Sequence, residues 1–385
     1  MSTIPERLPA ALDVACHLNV VLADPSSDVL TAALDGIAAR GFRRIVLPPV
    51  DPARFDAAGF RRLCEARGLS AIPIAGQSPD ADVASADPAV RAAGVAALDD
   101  MVALAALLGS DQLNGVPYGL FGRSPTEVPR DAWERSAAAL GEVAERAHER
   151  GVTVVFEVLN RYETAMINTA EQAMAYAEAS GSPHLRIHLD TFHMAVEEED
   201  ASAAIRAALP RLAFLELGQS GRGRLSRGAI DVTEIVRRAL DDGYEGRWGV
   251  EAFSAAILPP PARDALAIWR APYVDGLHLA DDAARLIRAG WAASAPGRRA
   301  ARLARAAAHD GTGPADGSTG VTDSGDDIVS DPFVAHTEPE TRTRTGASAS
   351  DDPRREPPAH DSAGATMPAP PHPAGANAPA AHTER

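Results

Sequence analysis

The feature that most constrains this chain is an alternation of element types. Eight short apolar runs are separated by longer amphipathic stretches. The runs are DVACHLNVVL (13–22), RRIVLPP (43–49), LSAIPIAG (69–76), QLNGV (112–116), VTVVFEVLN (152–160), LRIHLD (185–190), LAFLELG (212–218) and RWGVEAF (247–253). Between them lie helical patterns such as DVLTAALDGIAARG (28–41) and RDAWERSAAALGEVAERAHERG (130–151). Each of these opens on Asp or Arg-Asp and closes on Gly, the residues that cap helix ends. Strand and helix in regular alternation predict a parallel α/β fold. Eight such units match a (β/α)8 TIM barrel, for which about 250 residues is typical. A doubly wound open sheet is the alternative, but no GxGxxG follows the first strand.

The barrel reading sets the domain limits. Residues 1–11 form an N-terminal extension and 12–290 the barrel. Residues 291–385 turn to Ala, Pro, Gly, Ser, Thr, Asp and Arg with few large apolar side chains, so we expect a disordered tail. Within it RRAARLARAAA (298–308) has the makings of a transient helix. The formal charge of −16 argues against nucleic acid as a partner. Every one of the 37 basic residues is Arg, which excludes chemistry that needs a lysine amine, such as a Schiff base or a Walker-type phosphate loop. Cys16 and Cys64 show no metal-ligand spacing and read as reduced, buried thiols. No signal-like or membrane-spanning segment is evident, so the expectation is a soluble cytoplasmic protein with no membrane partner.

In a barrel the chemistry sits at the C-terminal ends of the strands. The last four runs each deliver a carboxylate there: Glu157 in VVFEVLNRYET, Asp190 in RIHLDTFHM, Glu216 in FLELGQSGRG and Glu251 in WGVEAFS. Any one of them could cap a helix or pair with an arginine. Four converging on one barrel mouth would repel each other unless a cation joined them, and all-oxygen ligation suits Mg²⁺ or Mn²⁺.

The segments EVLNRYET, HLDTFHM and VEAF also carry a resemblance. They are similar to the signature segments of the ketose 3-epimerases, such as D-tagatose and D-psicose 3-epimerases, in the xylose-isomerase-like sugar isomerase/epimerase superfamily. The resemblance spans residues 12–285 and is most specific from 157 to 254. It implies a divalent metal, Mn²⁺ or Mg²⁺ with Co²⁺ as a further choice, held by Glu157, Asp190, the residue at 216 and Glu251. It implies substrate contacts from Glu163, His193 and Arg222. The implied reaction is epimerisation or isomerisation of a small carbohydrate, free or phosphorylated, through an enediolate. Glu157 and Glu251 would exchange the proton, and the assembly would be a homodimer or homotetramer. Two alternatives stay open: a metal-dependent lyase on the same scaffold (a dehydratase or a C-glycoside-cleaving enzyme), and a non-catalytic sugar-binding descendant.

The chain departs from the family pattern at definite places. Glu216 stands where the family has a metal-binding His, and Gln219 where a Glu is usual, so either could complete the metal set. His17 and Asn19 occupy first-strand positions where aromatic residues are usual. Three further features have two readings each. The loop GQSGRGRLSRG (218–228) is an anion cradle or a solvated turn. Tyr118 and Phe121 in NGVPYGLFG form a wall over a sugar or belong to the core. His184 and His188 make a second metal site, or His188 is simply buried and hydrogen-bonded, which we prefer.

Overall fold

In a computed structural model, which describes residues 7–310, each of the eight runs contains a parallel strand. These are β1 (Ala15–His17), β2 (Arg44–Val46), β3 (Ser70–Ile72) with β4 (Ile74–Ala75), β5 (Gln112–Gly115), β6 (Thr153–Val158), β7 (Arg186–Asp190), β8 (Leu212–Leu217) and β9 (Arg247–Val250). Strands β3 and β4 are halves of the third barrel strand. Pro73 divides them because it has no N–H to give the ladder, while its carbonyl still accepts from the Asn114 N–H at 3.0 Å. Pairing runs β1-β2-β3 and then β4 to β9 in chain order. The Trp248 N–H donates to the Asp13 carbonyl at 2.9 Å and brings the last strand back against the first. The fold is the TIM barrel that the alternation predicts.

Strand alternation sorts the side chains. Ala15, Val46, Ile72, Val155 and Phe214 form a small apolar layer inside the barrel, and a larger core lies between the strands and their helices. Phe214 and Glu216 share a face, so the apolar plug has a carboxylate directly above it. The register then places Glu157 beside His188, Asp190 beside Glu216, and Glu216 beside Gly249. At the opposite end Arg44 and Arg247 share the carboxylates of Asp13 and Asp111, tying β1, β2 and β9 to the start of β5.

Several local expectations change. The first run is extended only over Ala15–His17 and then makes a 3-10 turn, Leu18–Val20. Helix Leu30–Ala39 has Val29 rather than Asp28 at its N-cap, and helix Arg130–Glu149 has Pro129 there, with Asp131 in its first turn. Both do end on a left-handed glycine, Gly41 and Gly151. The expected disorder from 291 onward is corrected for its first twenty positions. Helix Gly276–Ala293 runs past that boundary, and Ala295–Asp310 forms another helix. Ala and Arg are strong helix formers, and the Ser294 hydroxyl accepts the Gly297 N–H at 3.2 Å at the junction. Residues 311–385 lie outside the described residues. Near the start, Leu8 is buried and its N–H donates to the Arg40 carbonyl at 2.9 Å, so part of the N-terminal extension belongs to the core.

Gly249 gives Glu216 its space. A Cβ there would collide with the Glu216 carboxylate and the Phe214 ring. Gly249→Ala should therefore destabilise the fold by about 1–3 kcal/mol, seen as a lower urea midpoint. An unchanged midpoint would show that this layer has slack.

Candidate active site

A cleft of about 1420 Å³ opens over the C-terminal ends of the strands. Its inner wall carries His17, Asn114, Glu157, His188, His193 and Glu251, and its outer wall is largely apolar, with Phe55, Phe60, Leu63, Leu258 and Leu266. Glu157 comes from β6, and Glu251 directly follows β9. Asp190 ends β7 and Glu216 lies in β8; both are fully buried beneath the cleft.

Imidazoles stand among these carboxylates. Glu216 Oε1 lies 2.8 Å from His17 Nε2, and Oε2 lies 3.1 Å from His188 Nε2. His193 Nε2 lies 3.5 Å from Glu157 and 3.7 Å from Asp190. The Asn160 backbone N–H donates to His193 Nδ1 at 3.1 Å, which leaves Nε2 to carry the proton toward the site. Asp190 Oδ1 accepts the Phe192 N–H at 2.9 Å and caps the next helix, while its Oδ2 is free.

Arg222 is the fixed cation of the site. Its Nη2 donates to Glu251 Oε2 at 2.6 Å and its Nη1 to Glu163 Oε1 at 3.1 Å. The guanidinium lies between the Phe192 and Phe253 rings, 4.2 and 4.6 Å from their centroids. The backbone there is left-handed, with φ 51°, a conformation that costs a non-glycine residue about 1–3 kcal/mol. Flanking Gly221 and Gly223 and the Arg222 carbonyl, which accepts the Phe253 N–H at 2.7 Å, hold the turn.

Burial raises carboxylates and lowers imidazoles unless neighbours outweigh it. Burial opposes ionisation of Glu216, yet His17 and His188 hold it below the usual carboxylate range. Glu157 is lowered in the same way, by His188 and His193 against burial. Asp190 goes the other way: burial pushes it well up, and Glu251, Glu216 and Glu157 add repulsion. Burial also raises Glu251, with Arg222 and His17 opposing. For His17 burial is overcome by Glu216, and the ring rises to about 9.

Comparison with known proteins agrees with this geometry. The model of the xylose isomerase-like TIM barrel family matches residues 29–271. The chain belongs to that family. It is 37% identical to an L-ribulose 3-epimerase of Mesorhizobium japonicum over 280 residues, which is 72% of this chain and 93% of that protein. It is 34% identical to a ketose 3-epimerase of Arthrobacter globiformis, over 72% of this chain and 96% of the relative. Among solved structures, an L-ribulose 3-epimerase superposes with a TM-score of 0.70 at 35% identity, covering 76% of this chain and 98% of that one. By this kinship the xylose isomerase-like chain is an enzyme of the isomerase class. Among the described residues, no helix is long and apolar enough to cross a membrane.

All seven residues expected from the sequence of this family member gather at the barrel mouth. Gln219 does not join them. Its Nε2 donates to the carbonyls of Leu225 and Ile230, both at 2.9 Å, and its Oε1 accepts from the Ser220 and Ile230 N–H groups. It braces the loop, which leaves Glu216 as the residue facing the site. The sequence reading missed His17 and preferred a merely hydrogen-bonded role for His188. Alternation with Asp190 was the usable signal for His188. His184 lies elsewhere, stacked on His148 with centroids 3.5 Å apart, so the two do not make a second site. Tyr118 belongs to the core, with its hydroxyl donating to the Glu157 carbonyl at 2.8 Å, whereas Phe121 lines the cleft. Of the loop arginines 222, 224 and 227, Arg222 alone lines the cleft.

The donor set fits a divalent cation. Asp190 Oδ2, both Glu216 oxygens, and Nε2 of His17, His188 and His193 are buried without hydrogen-bond partners. Such orphaned groups are costly unless something joins them. Three overlapping groups could hold an ion: His17 with Glu216 and Glu251; Glu157 with His188 and Glu216; and Glu157 with Asp190 and His193, the last requiring His193 Nε2 to give up its proton. None of the three joins all four expected carboxylates, and each includes an imidazole.

The cluster also sets a pH dependence for the metal-free protein. A folded-state value of about 9 for His17, above its ordinary 6.5, contributes stability that is complete below pH 6.5. That contribution is lost as pH rises through about 9. Chelator-treated protein should unfold at lower urea at pH 9.5 than at pH 6.5, and His17→Gln should flatten this difference.

Proposed function

We propose that this chain is a divalent-metal-dependent sugar epimerase that inverts the hydroxyl-bearing carbon beside the carbonyl of a small ketose. One observation carries the reading. Glu157 and Glu251 rise from strands separated by β7 and β8 and line one cleft, with His193 and Arg222 beside them. Two carboxylates that reach a sugar from separate directions suit removal of a proton from one face and its return to the other. The relatives named as L-ribulose and ketose 3-epimerases support the substrate class.

A bound Mn²⁺ or Mg²⁺, or Co²⁺, would polarise the carbonyl and acidify the neighbouring C–H. Glu157, Asp190, Glu216 and Glu251 are the residues suited to hold it. Glu157, kept ionised by its histidines, is fitted to take the proton. Glu251, with its raised affinity for a proton, is fitted to return one. The roles exchange in the reverse direction. The sugar passes through an enediolate, whose negative oxygen is answered by Arg222 and by the N–H of His193. Glu163 holds Arg222 in place and keeps its second oxygen, Oε2, free for a sugar hydroxyl.

Incubating Mn²⁺-loaded protein with ketopentoses and ketohexoses in D₂O tests this. The expected result is deuterium at one carbon and inversion there, with no change in composition and no reaction after chelation. Glu157→Gln and Glu251→Gln should each lower kcat by roughly 10²–10⁴-fold. Loss of water or of an aglycone from the sugar would identify a lyase and overturn the reading.

A further inference from the structure

We propose that His17 is a nitrogen ligand of the cation and that, with Glu216 and Glu251, it forms one face of the site. The proposal rests on the divalent-metal reading above. His17 is the last residue of β1, at the end of the barrel where the carboxylates gather, and it lines the cleft. Its Nε2 is 2.8 Å from Glu216 Oε1 and its Nδ1 is 3.6 Å from Glu251 Oε1.

The decisive detail is direction. At 2.8 Å an imidazole and a carboxylate ordinarily share a hydrogen bond. Here the alignment fails, and both His17 Nε2 and Glu216 Oε1 are buried without a hydrogen-bond partner. Two donors side by side, neither aimed at the other, are arranged to face a third body. Adjacent ligands of a six-coordinate cation with bonds of roughly 2.1 Å stand roughly 3 Å apart, which is the separation found. The Glu251 oxygen nearest the ring is Oε1, while Arg222 takes Oε2, so the salt bridge leaves the inward oxygen available.

The chemistry of the site supplies a reason for a nitrogen. Carboxylates alone crowd negative charge around one cation. A neutral ring nitrogen adds a donor without adding charge, and it moves the preference from Mg²⁺ toward Mn²⁺ and Co²⁺. His188 and His193 are the competing nitrogens: His188 Nε2 lies 3.1 Å from Glu216 Oε2 and His193 Nε2 3.5 Å from Glu157, and both atoms are without hydrogen-bond partners. His188 is the nearer of the two to Glu216. Its ring also packs edge-on against Phe214, with centroids 4.8 Å apart.

Electron spin-echo modulation of Mn²⁺-loaded protein reads the ligands without reference to turnover. Wild type should show coupling to a coordinated imidazole ¹⁴N. His17→Gln should abolish it and weaken Mn²⁺ binding by roughly 10-fold or more in titration calorimetry, while His188→Gln should retain the coupling. Should His17→Gln fail to fold, the spectrum of a His188→Gln/His193→Gln double variant decides, because His17 is then the one imidazole of the cluster left to supply the coupling. If wild type binds Mn²⁺ without nitrogen coupling, or the coupling vanishes in His188→Gln, His17 is not the ligand and the metal reading still stands. If wild type binds no divalent cation, both readings fall.

Discussion

Everything at the mouth of this barrel depends on how four carboxylates are kept together. Glu157, Asp190, Glu216 and Glu251 come from consecutive barrel strands, and the register gives them no freedom to separate. Low dielectric makes their repulsion strong. The protein answers from within by placing His17, His188 and His193 in the gaps and Arg222 across the top. The answer is partial. Glu157 and Glu216 are kept ionised, whereas Asp190 and Glu251 are pushed up. A site left short of positive charge in its own fold is one prepared for a cation.

Support for this arrangement reaches outward through backbone rather than through further charge. Gly249 leaves room for the Glu216 carboxylate, and a side chain at Gly218 would meet Asp190. The Thr191 hydroxyl donates to the Gly218 carbonyl at 2.7 Å and accepts the Gly218 N–H at 3.0 Å, which locks the ends of β7 and β8 together. Gln219 then ties down the loop that carries Arg222. The strained φ of Arg222 is tolerated because this loop is fixed on both sides, and its cost is offset where the guanidinium meets Glu163 and Glu251.

Most of the barrel and much of the site were legible in the sequence, for a physical reason. A carboxylate interrupting an apolar strand is costly, so Glu157, Asp190, Glu216 and Glu251 announced themselves, and their motifs fixed the family. What stayed hidden depended on where elements end. Read as a strand over 13–22, the first run puts His17 mid-strand; with β1 ending at His17, the same ring stands at the barrel mouth. Gln219 looked equivalent to Glu216 because a loop's internal hydrogen bonds leave no periodic trace. The helical segment from 291 to 310 was obscured because Ala and Arg satisfy both a helix and a low-complexity tail.

Glu251 links the two halves of this design. One of its oxygens receives Arg222, which belongs to the loop after β8, and the other lies nearest His17 on β1. The residue proposed to return a proton thus touches both the group proposed to meet the sugar and the group proposed to share its metal. On the proposed reading, a sugar that drew Arg222 toward its own oxygens would loosen the bond to Glu251 Oε2 and free that carboxylate to act. If the proposed roles hold, substrate grip, proton transfer and metal binding form one coupled network, and substitutions within it should behave non-additively.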